Sequence, residues 1–165
     1  MGSQIAFHTA YKGFNVTIYD INAELYTKII ENLNLLKGIY ERELHTTEQE
    51  LEDTMNNISF HYDLQTAVED ADLIIEAVPE KMQVKKDLYE NIGRLAPAKT
   101  IFATNSSTML PSELMEHTGR AHKFIAMHFA NLIFHCNIAE IMKCPQTNEE
   151  TSNTVLSFAK EIGMK

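Results

Sequence analysis

His128 closes one apolar run, HKFIAMHF (122–129), and Glu140 interrupts another, IAEIMKC (138–144). A carboxylate set between Ala139 and Ile141 is costly to bury alone. It must take up a proton or find a cationic or hydrogen-bonding neighbour. The two runs are joined by a short connection, so the imidazole of His128 can meet that need. A His–Glu pair fixes the imidazole tautomer and raises its basicity, as a general base requires. The same pair would serve equally as an ordinary buried ion pair. Upstream, Asn105, Ser106, Ser107 and Thr108 follow the run TIFAT. Ser107 could hydrogen-bond a substrate oxygen or cap the next helix. No G-x-S-x-G elbow surrounds it, which excludes a serine-nucleophile enzyme of that type.

A second group of residues suits a nucleotide. Asp20 ends the strand-like segment FNVTIYD (14–20), eighteen residues after Gly2. Dinucleotide-binding units place an acid about 20 residues beyond their glycine turn, where its carboxylate accepts the ribose hydroxyls. Such an acid repels a 2′-phosphate, so NAD is preferred to NADP. A turn-starting or helix-capping aspartate would look the same. Gly2 alone carries almost no signal, because the G-x-G-x-x-G fingerprint needs three glycines.

The elements that must hold these groups alternate. SQIAFHTAYK (3–12) places Ile5, Ala6, Thr9 and Ala10 on one helical face, and Gly13 is a good stop. Strand 14–20 leads to a long amphipathic helix with Asn22 as its expected cap. TTEQELEDTMNN reads as a short helix opened by the Thr47-to-Glu50 capping-box spacing, and ISFHY (58–62) as a strand. DLQTAVED is a short helix, ADLIIEAV (71–78) a buried strand, and EKMQVKKDLYENIGRLA an amphipathic helix that ends before Pro97. TIFATN (100–105), 122–129 and 138–144 are further buried strands, LPSELMEHT a short helix, and NEETSNTVLSFAKEIG a closing helix. This order predicts an α/β fold with a mostly parallel sheet. Open sheets of this kind bind ligands beyond the carboxyl ends of their strands. Asp20, then Pro79, Glu80 and Lys81, then Asn105 to Thr108, then His128 and Asn131 all fall there. Four polar strand ends on one rim favour a site.

Composition agrees. The chain has 165 residues, 44% of them apolar, enough for one domain with its own core. Fourteen basic and twenty-three acidic side chains give a net charge of −9, which argues against general nucleic-acid binding. No window reaches the roughly 18 apolar residues of a membrane helix, and no secretory signal opens the chain. Cys136 and Cys144 are expected to be reduced, as in a cytoplasmic protein, and no histidine or cysteine spacing fits a metal site.

The segments GSQIAFHTAYKGFNVTIYDIN, ADLIIEAVPEKMQVKKDLY, TIFATNSST and AMHFAN…AEIM together resemble the NAD-binding domain of L-3-hydroxyacyl-CoA dehydrogenases, including 3-hydroxybutyryl-CoA dehydrogenases. They lie in family order and span nearly all of 1–165. The resemblance implies a Rossmann-type fold, NAD as cofactor, and interconversion of an L-3-hydroxyacyl-CoA with its 3-ketoacyl-CoA. His128 matches the family's catalytic base, Glu140 its carboxylate partner, and Ser107 the serine that binds the substrate oxygen. Gly2, Asp20, Glu80, Lys85, Asn105 and Asn131 match cofactor-binding positions, with a solvated helix lysine the plainer reading of Lys85. Leu132 stands where the family's H-F-x-N-P pattern has proline. The family's acyl-CoA contacts near 37–57 do not carry over to the acidic segment found here. Against the family's plan, Met1 falls just before the third glycine, so the first strand and most of the phosphate turn are expected to be missing. The helical domain through which the family dimerises is likewise expected to be missing beyond Lys165. By itself such a chain is expected to bind NAD poorly and turn over little. Two rivals share the scaffold: a short-acid β-hydroxyacid dehydrogenase, which usually relies on a lysine from the helical domain, and a non-catalytic remnant.

Overall fold

The computed structural model describes residues 1–22 and 24–165. The chain forms two compact units, Met1–Ala67 with Asn131–Asn137, and Val68–Ala130 with Ile138–Lys165.

The first unit opens with α1 (Gly2–Tyr11), whose residues Ile5 to Ala10 are all buried. Gly13 ends it at φ +90°, a conformation that glycine adopts without the steric cost of a Cβ. The chain then turns into β1 (Val16–Tyr19), where β-branched and aromatic residues suit an extended backbone. β1 pairs in parallel with β2 (Ile58–His61), Val16 opposite Ile58 and Tyr19 opposite His61. Between them run α2 (Leu25–Leu44) and α3 (Glu48–Asn56). Thr47 and Glu50 form the expected capping box. Asn22 is not the cap of α2: the cap position is Glu24, two residues later, whose N–H the Asn22 Oδ1 accepts at 2.9 Å. Phe7, Ala10, Leu33, Leu36, Tyr40, Leu51 and Ile58 make the core of this unit. A short helix, α6 (Ile133–Cys136), also belongs to it and has no periodic signal in the sequence. Its Phe134 ring lies 5.6 Å from that of Tyr40. Leu132 at φ 58° and Asn137 at φ 50° bracket it. A proline, fixed near −65°, cannot take the Leu132 backbone conformation.

The second unit is a four-stranded sheet in the order β3 (Leu73–Glu76), β4 (Ile101–Thr104), β5 (Phe124–Phe129), β6 (Ala139–Lys143). The first three strands are parallel and β6 runs antiparallel to β5. All of β4 is buried, as an inner strand of a covered sheet should be. β3 and β6, expected as buried strands, are edges of this sheet and are only partly covered. α4 (Leu64–Val68) precedes β3, α5 (Met82–Leu95) connects β3 to β4, and α7 (Glu149–Glu161) follows β6. The segment LPSELMEHT forms two 3-10 turns, Pro111–Glu113 and Met115–Thr118, in place of the expected α-helix, and Gly119 at φ 66° ends the second. α5 packs hard against this segment. A Cβ on Gly93 would stand 2.3 Å from the Thr118 carbonyl oxygen. The Arg120 guanidinium donates to the carbonyls of Pro97, Gly93 and Ala96 and lies 4.8 Å from the Phe102 ring centre. It thereby satisfies carbonyls that the end of α5 leaves without helical partners.

Candidate active site

On an antiparallel pair, residues directly opposite each other project to the same face. His128 on β5 and Glu140 on β6 are such a pair. Their side chains meet, with Nδ1 of the imidazole 3.1 Å from Oε2 of the carboxylate. Glu140 is not the buried carboxylate that its apolar neighbours suggest: its side chain is 66% exposed, against 29% for His128. β6 is an edge strand, so alternate residues turn outward, and Glu140 and Met142 are exposed while Ala139 and Ile141 are half-buried. The pairing therefore comes from strand register and not from a buried charge seeking a partner. Because an ionised carboxylate only accepts hydrogen bonds, Nδ1 carries the proton in the neutral ring and Nε2 the lone pair. An imidazole so fixed can take a proton from a hydroxyl and return it.

A second cluster lies at the carboxyl end of β3. Glu76 is the last residue of that strand and is buried. Its two oxygens receive the Lys85 ammonium at 2.8 Å each, the Thr104 hydroxyl at 2.9 Å, the Tyr89 hydroxyl at 3.2 Å and the Val78 N–H at 2.8 Å. Lys85 is not a solvated helix lysine. With Tyr89 and Ile92 it makes the buried stripe of α5, and it is 1% exposed. Its third donor reaches Glu80 Oε2 at 3.0 Å. An ammonium has three N–H donors, and here carboxylates receive all of them. Tyr89, fully buried beside Glu76, is pushed well above the usual phenol range, chiefly by burial and then by the neighbouring charge.

Glu80 extends this cluster outward. Its Oε1 accepts from the Ser106 hydroxyl, in a very short contact, and from the Thr108 hydroxyl at 3.2 Å. Burial acts to raise its pKa, but Ser106, Lys85 and Thr108 together outweigh that and hold it down to about 2. The hydroxyl segment is tied at other points as well. Asn105 Oδ1 accepts the Phe129 N–H at 2.9 Å, the Ser106 N–H donates to Thr104 Oγ1 at 3.2 Å, and the Met109 N–H donates to Ser106 Oγ at 3.1 Å. Ser107, in the middle, is exposed.

Gly2, Asp20 and Asn131 belong to the first unit. Gly2 is the first residue of α1, which carries no side-chain cap, so its leading N–H groups are of the kind that an anion takes up. Asp20 follows β1; its Oδ1 accepts the Asn22 N–H at 3.0 Å and its own N–H donates to the Tyr26 hydroxyl at 3.1 Å. Among the described residues Oδ2 accepts no protein donor, so it suits a ribose hydroxyl. These residues fit a dinucleotide. Asn131 is exposed. Sequence reasoning assigns no individual role to Glu76, Thr104 or Ser106. The available signal was Glu76 inside the apolar run LIIEAV, with Lys85, Tyr89 and Ile92 repeating at helical spacing beyond it.

Comparison with known proteins bears on the whole chain. The family model for the 3-hydroxyacyl-CoA dehydrogenase NAD binding domain matches residues 1–165. A probable 3-hydroxybutyryl-CoA dehydrogenase of Bacillus subtilis is 33% identical over 163 residues, which cover 99% of this chain and 56% of the relative. The mitochondrial hydroxyacyl-coenzyme A dehydrogenase of Homo sapiens is 29% identical and is covered to 54%. Among solved structures, one described as a diketoreductase acting on dicarbonyl compounds superposes with a TM-score of 0.96 at 48% identity, covering 99% of this chain and 58% of the other. The 3-hydroxybutyryl-CoA dehydrogenase of Escherichia coli K12 superposes with a TM-score of 0.93 at 25% identity, over 100% of this chain and 35% of the other. The chain thus spans about half the length of the curated relatives it matches. Its strand order, polar strand ends and end-to-end family match agree, and the chain belongs to the 3-hydroxyacyl-CoA dehydrogenase family as an NAD-binding domain of Rossmann type.

Proposed function

We propose that a protein carrying this chain interconverts an L-3-hydroxyacyl-CoA and its 3-ketoacyl-CoA, with the His128–Glu140 pair as general base. The observation that carries this reading is the open pair itself: Nδ1 is held by a carboxylate at 3.1 Å on an accessible sheet face, in a chain of this family. NAD, when bound, supplies the acceptor or donor of hydride. Nε2 of His128 takes the proton of the substrate's 3-hydroxyl in oxidation and returns it in reduction. Glu140 keeps the ring in the tautomer that can do so and offsets the imidazolium charge once the proton has arrived. Ser107 donates a hydrogen bond to the same substrate oxygen. The carboxylate of Asp20 accepts ribose hydroxyls and repels a 2′-phosphate, and the N–H groups beginning at Gly2 face a phosphate. Glu80, Asn105 and Asn131 contact the cofactor, and Lys85, whose donors end on carboxylates, acts on it through Glu80.

The diketoreductase likeness supports a second reading, reduction of a dicarbonyl compound. The 48% identity to that protein exceeds the 33% to the Bacillus subtilis relative. A 3-ketoacyl thioester is itself a 1,3-dicarbonyl, so the same residues would serve both substrates. NADH consumption with acetoacetyl-CoA and with a simple β-diketone tests both readings. A rate in the ordinary range, about 1–1000 per second, on the thioester supports the first. A rate confined to the diketone supports the second. Activity retained in His128→Gln overturns the His–Glu assignment and favours a lysine-dependent hydroxyacid dehydrogenase. No nucleotide binding at all favours a remnant.

A further inference from the structure

The buried cluster of the second unit closes on itself. Starting at Glu76, the Lys85 ammonium bridges to Glu80, 2.8 Å from one carboxylate and 3.0 Å from the other. Glu80 accepts the Ser106 hydroxyl, the Ser106 N–H donates to Thr104 Oγ1, and that hydroxyl donates back to Glu76. Thr108 and the Met109 N–H are tied to the same ring, through Glu80 and through Ser106 Oγ. The Asn105 N–H adds a direct bond to the Glu76 carbonyl at 3.0 Å. Every bond on the inner side of this ring ends on one buried residue. Each neighbour of Ser107 in the loop is pinned, while Ser107 itself faces solvent.

We propose that Glu76 is a positioning residue: through Lys85–Glu80 on one side and Thr104 on the other it holds the Asn105–Met109 loop in one conformation, and so fixes where Ser107 presents its hydroxyl. The contribution of Ser107 to substrate binding rests on the function proposed above; the ordering of the loop does not. Two physical points favour Glu76 as the anchor. It is the only carboxylate of the ring that is fully buried, its side chain being 0% exposed against 36% for Glu80. It also receives only donors, so an amide at this position would set its own N–H₂ against a donor. Buried networks of this kind order their members when every partner is satisfied.

The test uses the chain itself and needs no substrate. In a Glu76→Gln/Lys85→Met double variant the buried charges are removed together, which avoids leaving one of them alone. The Glu80 carboxyl titration, followed by carbon-13 NMR, is expected to move up from about 2 toward the ordinary 4.5. Amide hydrogen exchange at Ser106 and Met109 is expected to rise about tenfold or more, while exchange in α7 stays unchanged. A folded double variant with both readouts unmoved overturns the proposal. Should the double variant not fold, Thr104→Val and Glu80→Gln open the ring at two other places. Faster exchange at Ser106 in the first and at Met109 in the second supports the ring, and unchanged exchange in both overturns it. Failure of the dehydrogenase reading looks different: nucleotide binding or turnover is missing while the titration and exchange results of the intact ring stand.

Discussion

Two side-chain pairs of the second unit are built in opposite ways. Lys85 and Glu76 meet with side chains 1% and 0% exposed, and their donors and acceptors are used up within the protein. His128 and Glu140 meet with side chains 29% and 66% exposed, and the imidazole keeps Nε2 for another molecule. Burial strengthens the first pair's hold on its neighbours but removes it from direct contact with a ligand. Exposure makes the second pair worth little to stability but leaves it able to exchange a proton. The difference parallels the proposed division between positioning and chemistry, and it can be tested by breaking each pair in turn.

The largest effect is expected on turnover. His128→Gln should lower the rate on the proposed thioester by about 10²–10⁴-fold, the range typical of a lost general base. Next comes stability at the buried pair. Lys85→Ala should cost about 3–5 kcal/mol in urea unfolding, because it strands the Glu76 carboxylate. Glu140→Ala should cost less than about 1 kcal/mol in the same measurement. Equal losses at the two pairs would erase the contrast. Away from both, Gly93→Ala should cost about 1–3 kcal/mol, since the new Cβ would meet the Thr118 carbonyl oxygen at 2.3 Å.

The smallest effect is a pH dependence at the link between burial and rim. Glu80 is depressed in the folded protein, to about 2 from 4.5, so its contribution is present above about pH 4.5 and is lost as pH falls toward 2. The midpoint difference between the wild-type chain and Glu80→Gln should therefore be constant above that value and shrink below it. A difference that grows on acidification would show that the cluster does not stabilise the ionised form.

The sequence carried the outward pair better than the inward one. His128 and Glu140 could be matched because each sits in a recognisable strand, and strand register decides the rest. Glu140 reads as buried because IAEIMKC looks the same on an inner strand as on an antiparallel edge; only the neighbours distinguish them. Lys85 reads as a surface helix residue because a lysine on an amphipathic helix usually is one. Its place in the stripe with Tyr89 and Ile92 was visible, but its partner Glu76 lies on another element. The alternation of strands and helices and the Thr47–Glu50 cap rest on local spacing and were legible. The helix at Ile133–Cys136 and the 3-10 turns at 111–118 are short, and tertiary packing decides them.

The central claim is that the exposed pair does the chemistry while the buried pair only places it. The most direct measurement is turnover of acetoacetyl-CoA with NADH, paired with urea unfolding, for His128→Gln in a protein carrying this chain. The account predicts a rate lowered at least about 100-fold with an unfolding midpoint close to that of the unsubstituted protein. A rate that survives the substitution, or a loss of activity accompanied by an equal loss of stability, would contradict it.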